Sequence, residues 1–333
     1  MALKYIADRS HDYNINLFVS ELADAAKYLG ILQAKIDTYQ FNSILIPMLH
    51  KKEVLSSMDI EGTQKTTLSD MCEREVDPKR KDEKESVEVR NHTKALIYGA
   101  DHLRNGNFTH SFIQEIHRIM MTDLEPFNPD KPIGRYKIKN NHIENSVGTV
   151  VFTPPPYNET KKYMNELVDF INNGSSIHPL IKAAIIHAQF ESIHPFADGN
   201  GRVGRILASM YLYKANVINF PFFYISEAIN QDKRVYYNML TNSRNNSYDE
   251  WIKYFLHKVM VQATKLIGYI DSLNALYIKT KDTVKDCINS PKFDEIIECI
   301  FTHPVLNANM LEDIISVSHG QAIRYLNVLE EKR

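Results

Sequence analysis

Apolar residues recur at three- and four-residue steps along most of this chain, and that spacing confines it to a helical architecture. Leu17, Leu22, Ala25, Ala26, Leu29 and Leu32 outline a first apolar face, Ile113, Ile116, Ile119 and Met120 a second, and Met164, Leu167, Val168 and Ile171 a third. Near the middle come Ile181, Ala184, Ile185 and Ala188, followed by Val203, Ile206, Leu207 and Met210. The pattern continues over several turns through Ile252, Phe255, Leu256, Val259, Ala263, Leu266, Ile267 and Ile270. Such stripes face a core, so they set the fold class, mainly α, and carry no function. One interval departs from the rule. Gly134 to Pro156 alternates polar and apolar residues around Asn140-Asn141 and again from Val147 to Phe152, then ends in three prolines. That predicts a β-hairpin-like insertion.

At roughly 150 residues per domain, 333 residues make about two domains' worth of core. With 39 Lys and Arg against 41 Asp and Glu, the net charge of −2 argues against a mainly electrostatic partnership with nucleic acid or an anionic membrane. Three cysteines, none in a CxxC pair, exclude a disulfide framework and a cysteine zinc site. No stretch approaches the ~20 apolar residues of a membrane span, and the first residues lack the apolar run of a signal peptide. The expected address is the cytoplasm. The charge-dense run 73–88 around Pro78 reads as a solvated linker. Beyond the polar segment 279–292, Phe293 to Phe301, Met310 to Ile315 and Ala322 to Leu329 read as three short helices resembling a helix-turn-helix core. On these residues alone a packing module and a DNA reader stand level. The expected division is an N-terminal helical region at 1–105, a core domain at 106–270 and a small helical domain at 271–333.

Reactive residue types are densest from His194 to Arg205, HPFADGNGRVGR. Pro195, Gly199 and Gly201 mark an irregular loop, after which Val203, Ile206, Leu207 and Met210 begin an amphipathic helix. Asn200 to Arg202 then lie at a helix N-terminus, where free N–H groups and the positive dipole end attract an anion. Arg202 and Arg205 stand three apart, so two cations crowd that end; an anion with several oxygens, such as a polyphosphate, would reconcile them. Asp198 offers a hard oxygen suited to Mg²⁺. His194 is the side chain here that titrates near neutrality, hence the natural general base. Gly199, Gly201 and Gly204 also satisfy the G-x-G-x-x-G spacing of a dinucleotide site, but no buried strand runs into the first glycine.

The string His194-x-Phe196-x-Asp198-Gly199-Asn200-Gly201-Arg202-x-x-Arg205 matches, without departure, the HxFx(D/E)GNGRxxR motif of the Fic family. Upstream, Ser57-Met-Asp-Ile-Glu61-Gly62 resembles the (S/T)xxxE(G/N) inhibitory motif found N-terminal to the core in one subclass of that family. The resemblance spans approximately Ile15 to Met260, and the C-terminal helices look like the winged-helix appendage often attached to such proteins. It implies a Fic-type helical bundle with a β-hairpin flap and a protein adenylyltransferase, moving AMP from ATP to a Ser, Thr or Tyr hydroxyl.

Carried residue by residue, the resemblance makes His194 the base and Asp198 the holder of Mg²⁺. Asn200 and the backbone around Gly199 and Gly201 form the anion hole, with Arg202 on the β-phosphate and Arg205 on the γ-phosphate. Tyr236 and Tyr237 fall in the helix that helps form the nucleoside pocket, and Lys137 to Phe152 occupies the place of the flap that holds a target segment by strand addition. Ser57, Glu61 and Gly62 form the inhibitory motif, with Glu61 expected to pair with Arg205. Self-modification and removal of AMP are further activities of relatives. Alternatives are a DNA-binding regulator acting through the C-terminal helices, and transfer of another phosphate-containing group. The segment Arg324 to Arg333 is no basic stripe, which weighs against DNA. Target protein and oligomeric state, a dimer included, stay open.

Overall fold

The computed structural model describes the chain apart from residues 1–2, 39–41, 63–65, 77–83, 125, 127, 145–147, 174–175, 222, 246, 286 and 332–333. In chain order its helices are α1 (Ile6–Arg9), α2 (Val19–Thr38), α3 (Asn42–Ile60), α4 (Leu68–Val76), α5 (Lys84–Asn105) and α6 (His110–Met121). A hairpin of β1 (Ile143–Glu144) and β2 (Val150–Phe152) follows, then α7 (Thr160–Asn172), α8 (Pro179–Ile193), α9 (Asn200–Lys214), α10 (Ser226–Asn230), α11 (Lys233–Asn245) and α12 (Asp249–Val284). Last come α13 (Phe293–Thr302), α14 (Ala308–Ile315) and α15 (His319–Glu331). The fold is mainly α with one two-stranded antiparallel sheet, in which Ile143 faces Phe152 and Glu144 faces Val150.

The middle of the chain forms the centre of the molecule. Every residue of α8 from Leu180 to Ile193 is buried, as a helix must be when neighbours surround it on all sides. It packs against α7, α9, α11 and α12. The long α12 runs parallel to α2, with Lys253 paired to Glu21 at one end and Lys35 to Asp271 at the other. α3 lies on α10 and α5, and α5 in turn on α6 and α9. One continuous apolar cluster runs from Ile6 to Ile270, so the regions 1–105 and 106–270 share a core. A second, smaller cluster joins Val284 and Ile288 to α13, α14 and α15. No helix among the described residues is long and apolar enough to cross a membrane.

Several expectations need correction. Leu17, placed on the first apolar face, sits in a short 3-10 turn before α2 and is 54% exposed; α2 buries Ala25, Leu29, Leu32 and Ile36 instead. Residues 73–76 and 84–88 of the supposed linker are helical, in α4 and α5, while 77–83 lie outside the described residues. Glu88 is buried, because it has a cation to meet inside the fold. The polar stretch from residue 279 does not break the chain either: α12 passes through it to Val284, its exposed polar residues forming the outer side of one long helix. The division expected at 270–271 falls within this helix, and Leu273 just beyond it packs against both clusters. The hairpin is shorter than Lys137 to Phe152, for residues 137–142 run as irregular chain onto the motif loop; 145–147 lie outside the described residues.

Candidate active site

The motif occupies the connection from α8 to α9. α8 ends because Pro195 follows one residue beyond it, and His194 closes it in the left-handed conformation at φ 49°. Gly199, also left-handed at φ 76°, is the residue before α9, where a Cβ would meet Met121 Sδ at 2.9 Å. Glycine is required there on both counts. No side chain caps α9, so the N–H groups of its first turn are left for another acceptor. The side chain of Asn200 turns back into the loop: Oδ1 accepts from Phe196 N–H at 2.8 Å and Nδ2 donates to Phe196 O at 2.9 Å. What Asn200 offers an anion is thus its backbone.

The two arginines do not face one anion between them. Arg202 points toward α5, where it pairs with Glu88, approaches Met121 Sδ at 3.6 Å and lies 3.7 Å from Asp198. Arg205, its side chain only 1% exposed, turns toward α3. Its Nε donates to Ser57 Oγ at 3.1 Å, and Nη2 reaches Ser57 Oγ at 2.9 Å, Ser57 O at 3.0 Å and Glu61 Oε1 at 2.7 Å. Ser57 and Glu61 stand four apart at the end of α3, hence on one side of it. Gly62, at φ 74°, turns the chain away with its N–H on Asp59 O at 3.0 Å. The Glu61 carboxylate lies over Gly201, where a Cβ would collide with Oε1. An acid from a distant part of the chain thus sits at the uncapped N-terminus of α9.

Around that corner the charges are unevenly satisfied. Burial, then the cations of Lys137 and Arg244, push the His194 imidazole down to about 3, with the Glu191 carbonyl and Asp198 opposing. At neutral pH it is therefore unprotonated, the state a proton acceptor needs. Burial, reinforced by Glu61, raises Glu191 to about 7, with Arg205 and Arg244 opposing. Burial lowers Arg244 to about 10, and its guanidinium stacks 4.2 Å over the Phe152 ring, tying α11 to the hairpin. Buried polar atoms with no partner gather here: Glu191 Oε1, Arg202 Nε, Arg205 Nη1, Arg244 Nε and both ring nitrogens of His92. Asp198 stands out of this crowd, its side chain 56% exposed, with Oδ1 accepting from Gly199 N–H at 2.6 Å. Among the described residues no three His, Cys, Asp or Glu side chains converge as a metal site. A cation at Asp198 would draw its other ligands from water and a bound phosphate, the usual habit of Mg²⁺.

Of the two tyrosines, Tyr236 is core, its hydroxyl 2.8 Å from His187 Nε2. Tyr237 is 43% exposed and donates to Ile60 O at 3.0 Å, next to Glu61. The structure adds residues that motif reading passed over: Glu88, Glu191, Arg244, and His117 on α6. His117 Nδ1 accepts from Gly134 N–H at 2.9 Å, so its Nε2–H donates to Asp198 O at 3.1 Å, while the ring stacks 3.8 Å from Phe196. A signal for Glu88 was present in the spacing Glu88, His92, Ala95, one helical face; the others belong to no motif or spacing and carry none.

Residues 107–212 match the profile of the Fic/DOC family, and residues 19–101 that of the Fic/DOC family N-terminal region. The chain is 28% identical over 173 residues to a probable protein adenylyltransferase of Aquifex aeolicus (strain VF5), covering 44% of this chain and 54% of that protein. It is 30% identical over 144 residues to the protein adenylyltransferase Fic of Nematostella vectensis, covering 43% of this chain and 30% of that protein. The chain therefore spans about half, or less, of the length of these relatives. In fold it is similar to a Fic family protein from Desulfovibrio desulfuricans G20, with a TM-score of 0.66 and 21% identity over 96% of this chain and 90% of that one. From α2 through α9, this chain belongs to the Fic/DOC family.

Proposed function

We propose that the chain is a protein adenylyltransferase that moves AMP from ATP to a protein hydroxyl and carries its own brake in Glu61. The observation that carries this reading is the lodging of the Glu61 carboxylate against Arg205 at the uncapped start of α9, where an anion belongs. Displacing α3 would free that corner for a triphosphate, whose outer oxygens would meet Arg205 and the first N–H groups of α9. Arg202, already paired with Glu88, would give its unpartnered Nε to the β-phosphate. His194 takes the proton of the acceptor hydroxyl as its oxygen attacks the α-phosphorus; the bond from that phosphorus to the bridging oxygen breaks and pyrophosphate leaves. Asp198 would hold Mg²⁺, which when bound neutralises phosphate charge. The edge of the β1–β2 hairpin, with Val150 and Val151 exposed, would hold the target segment by strand addition. The same site could modify the chain itself, or remove AMP with Glu61 orienting water. Residues 1–105 carry the brake, 106–270 the transferase site and 271–333 an appended helical module.

The test is incorporation of label from α-phosphate-labelled ATP. Glu61→Gly should raise it by at least about tenfold over wild type, the effect of removing roughly 1.4 kcal/mol of closure, and His194→Ala should abolish it in either background. Equal incorporation by wild type and Glu61→Gly removes the brake; incorporation that survives His194→Ala removes the assigned base.

A further inference from the structure

Four consecutive carbonyls of the motif loop end on two residues of the segment leading into the hairpin. Lys137 Nζ donates to Ile193 O at 3.4 Å, and Asn141 Nδ2 to His194 O at 3.3 Å and Phe196 O at 3.0 Å. The backbone N–H of Lys137 donates to Pro195 O at 2.8 Å, and Lys137 Nζ to Asn141 Oδ1 at 2.7 Å, which fastens the two side chains to each other. Lys137 is buried, a state an ammonium tolerates only among acceptors that satisfy it. His194, meanwhile, has a positive φ, which a residue bearing a Cβ keeps only when its surroundings dictate it. Lys137 and Asn141 hold the carbonyl side of that turn, alongside the His194 N–H on Phe190 O and Asn200 on Phe196.

We infer that Lys137 and Asn141 are positioning residues for the transfer step: from the root of the hairpin they hold the backbone of His194 in its left-handed turn. The inference rests on the reading of His194 as the proton acceptor. Because the same segment continues into β1, the clamp also sets the hairpin edge, where an acceptor segment would lie, in fixed register with the imidazole. Lys137 contributes charge as well as geometry, for its cation beside His194 opposes formation of an imidazolium. Proximity effects of this kind act on turnover, since a base displaced by about an ångström loses rate while the nucleotide's own contacts stay intact.

The experiment places Lys137→Met and Asn141→Asp in the full-length Glu61→Gly chain. It measures kcat and KM for ATP, together with hydrogen–deuterium exchange across residues 194–200. Each variant should lower kcat by at least about tenfold with KM for ATP within about twofold, the signature of an interaction made for the transition state rather than for substrate binding. Exchange should accelerate in 194–200 while α8 and α9 keep their protection. A rise in KM with kcat unchanged overturns the inference, as does unaltered kcat with unaltered loop exchange. Acceleration spread evenly through the core marks mere packing and likewise overturns it. Should Glu61→Gly transfer no AMP at all, the functional reading fails on its own; loop exchange then still decides the clamp, faster exchange confined to 194–200 retaining it and unchanged exchange removing it.

Discussion

Arg205 is gripped twice by one helix, and the two grips differ in kind. Glu61 supplies charge from a half-exposed position, its side chain 30% accessible, while Ser57 is fully buried and supplies geometry through Oγ. Removing that hydroxyl leaves a buried guanidinium N–H without its acceptor, which costs about 2 kcal/mol. Ser57→Ala should therefore lower the melting temperature by several degrees and raise labelled AMP incorporation above wild type, though less than Glu61→Gly does. Parallel melts and label incorporation on the two variants check the ordering; a Ser57→Ala chain as quiet as wild type would show that Glu61 holds α3 unaided. At this scale the sequence was most legible where the chemistry is contiguous. His194, Asp198, Arg202 and Arg205 share twelve residues, and Ser57 and Glu61 share one turn. Glu191, Arg244 and His117 were illegible because their surroundings come from distant parts of the chain, and Glu88, though on a readable helical face, meets Arg202 more than a hundred positions away.

α3 is pinned along its length by the segment from Tyr224 to Tyr237. His50 meets Tyr224 at 3.3 Å, Glu53 bonds to Ser226, Lys52 lies 3.8 Å from Glu227, and Asp59 takes Asn230 at 2.6 Å. Lys233 and Tyr237 cap the last carbonyls, which a helix cannot satisfy itself. Among these links Glu53 is sensitive to pH. Burial pushes its carboxyl from 4.5 up to about 8, against Ser226 and Arg205, with Glu227 adding to the rise. Between those two values the folded protein keeps a proton that the unfolded chain has released, so this group's contribution to stability falls as pH rises through the window. The buried histidines, such as His117 at about 4, change in the opposite sense and run alongside. Glu53 is therefore isolated by difference: wild type should lose melting temperature relative to Glu53→Gln from about pH 5 to about pH 8. A constant difference would mean that Glu53 is ionised throughout. Helices were readable from spacing because burial selects one side. The hairpin was readable only as an interruption, since β1 and β2 total a few residues with Val150 and Val151 turned to solvent. The segment 73–88 misled because a charge meant for a buried partner looks like one meant for water.

Two apolar clusters share one long helix, and they should fail separately. Leu311 is fully buried in the smaller cluster. Leu311→Ala should cost that module about 2–5 kcal/mol and bring forward a distinct early transition in calorimetry. Label incorporation by Glu61→Gly should be unchanged by it. Loss of both together would make α13–α15 part of the transferase rather than an appendage. For the molecule as a whole, the central claim is that the end of α3 and a nucleotide's triphosphate compete for one corner. A crystal structure of the Glu61→Gly chain with ATP and Mg²⁺ measures this directly. It should place the triphosphate against the first turn of α9, oxygens on Arg205 and the α-phosphorus toward His194. A nucleotide bound elsewhere, with that corner still closed by α3, would contradict the account.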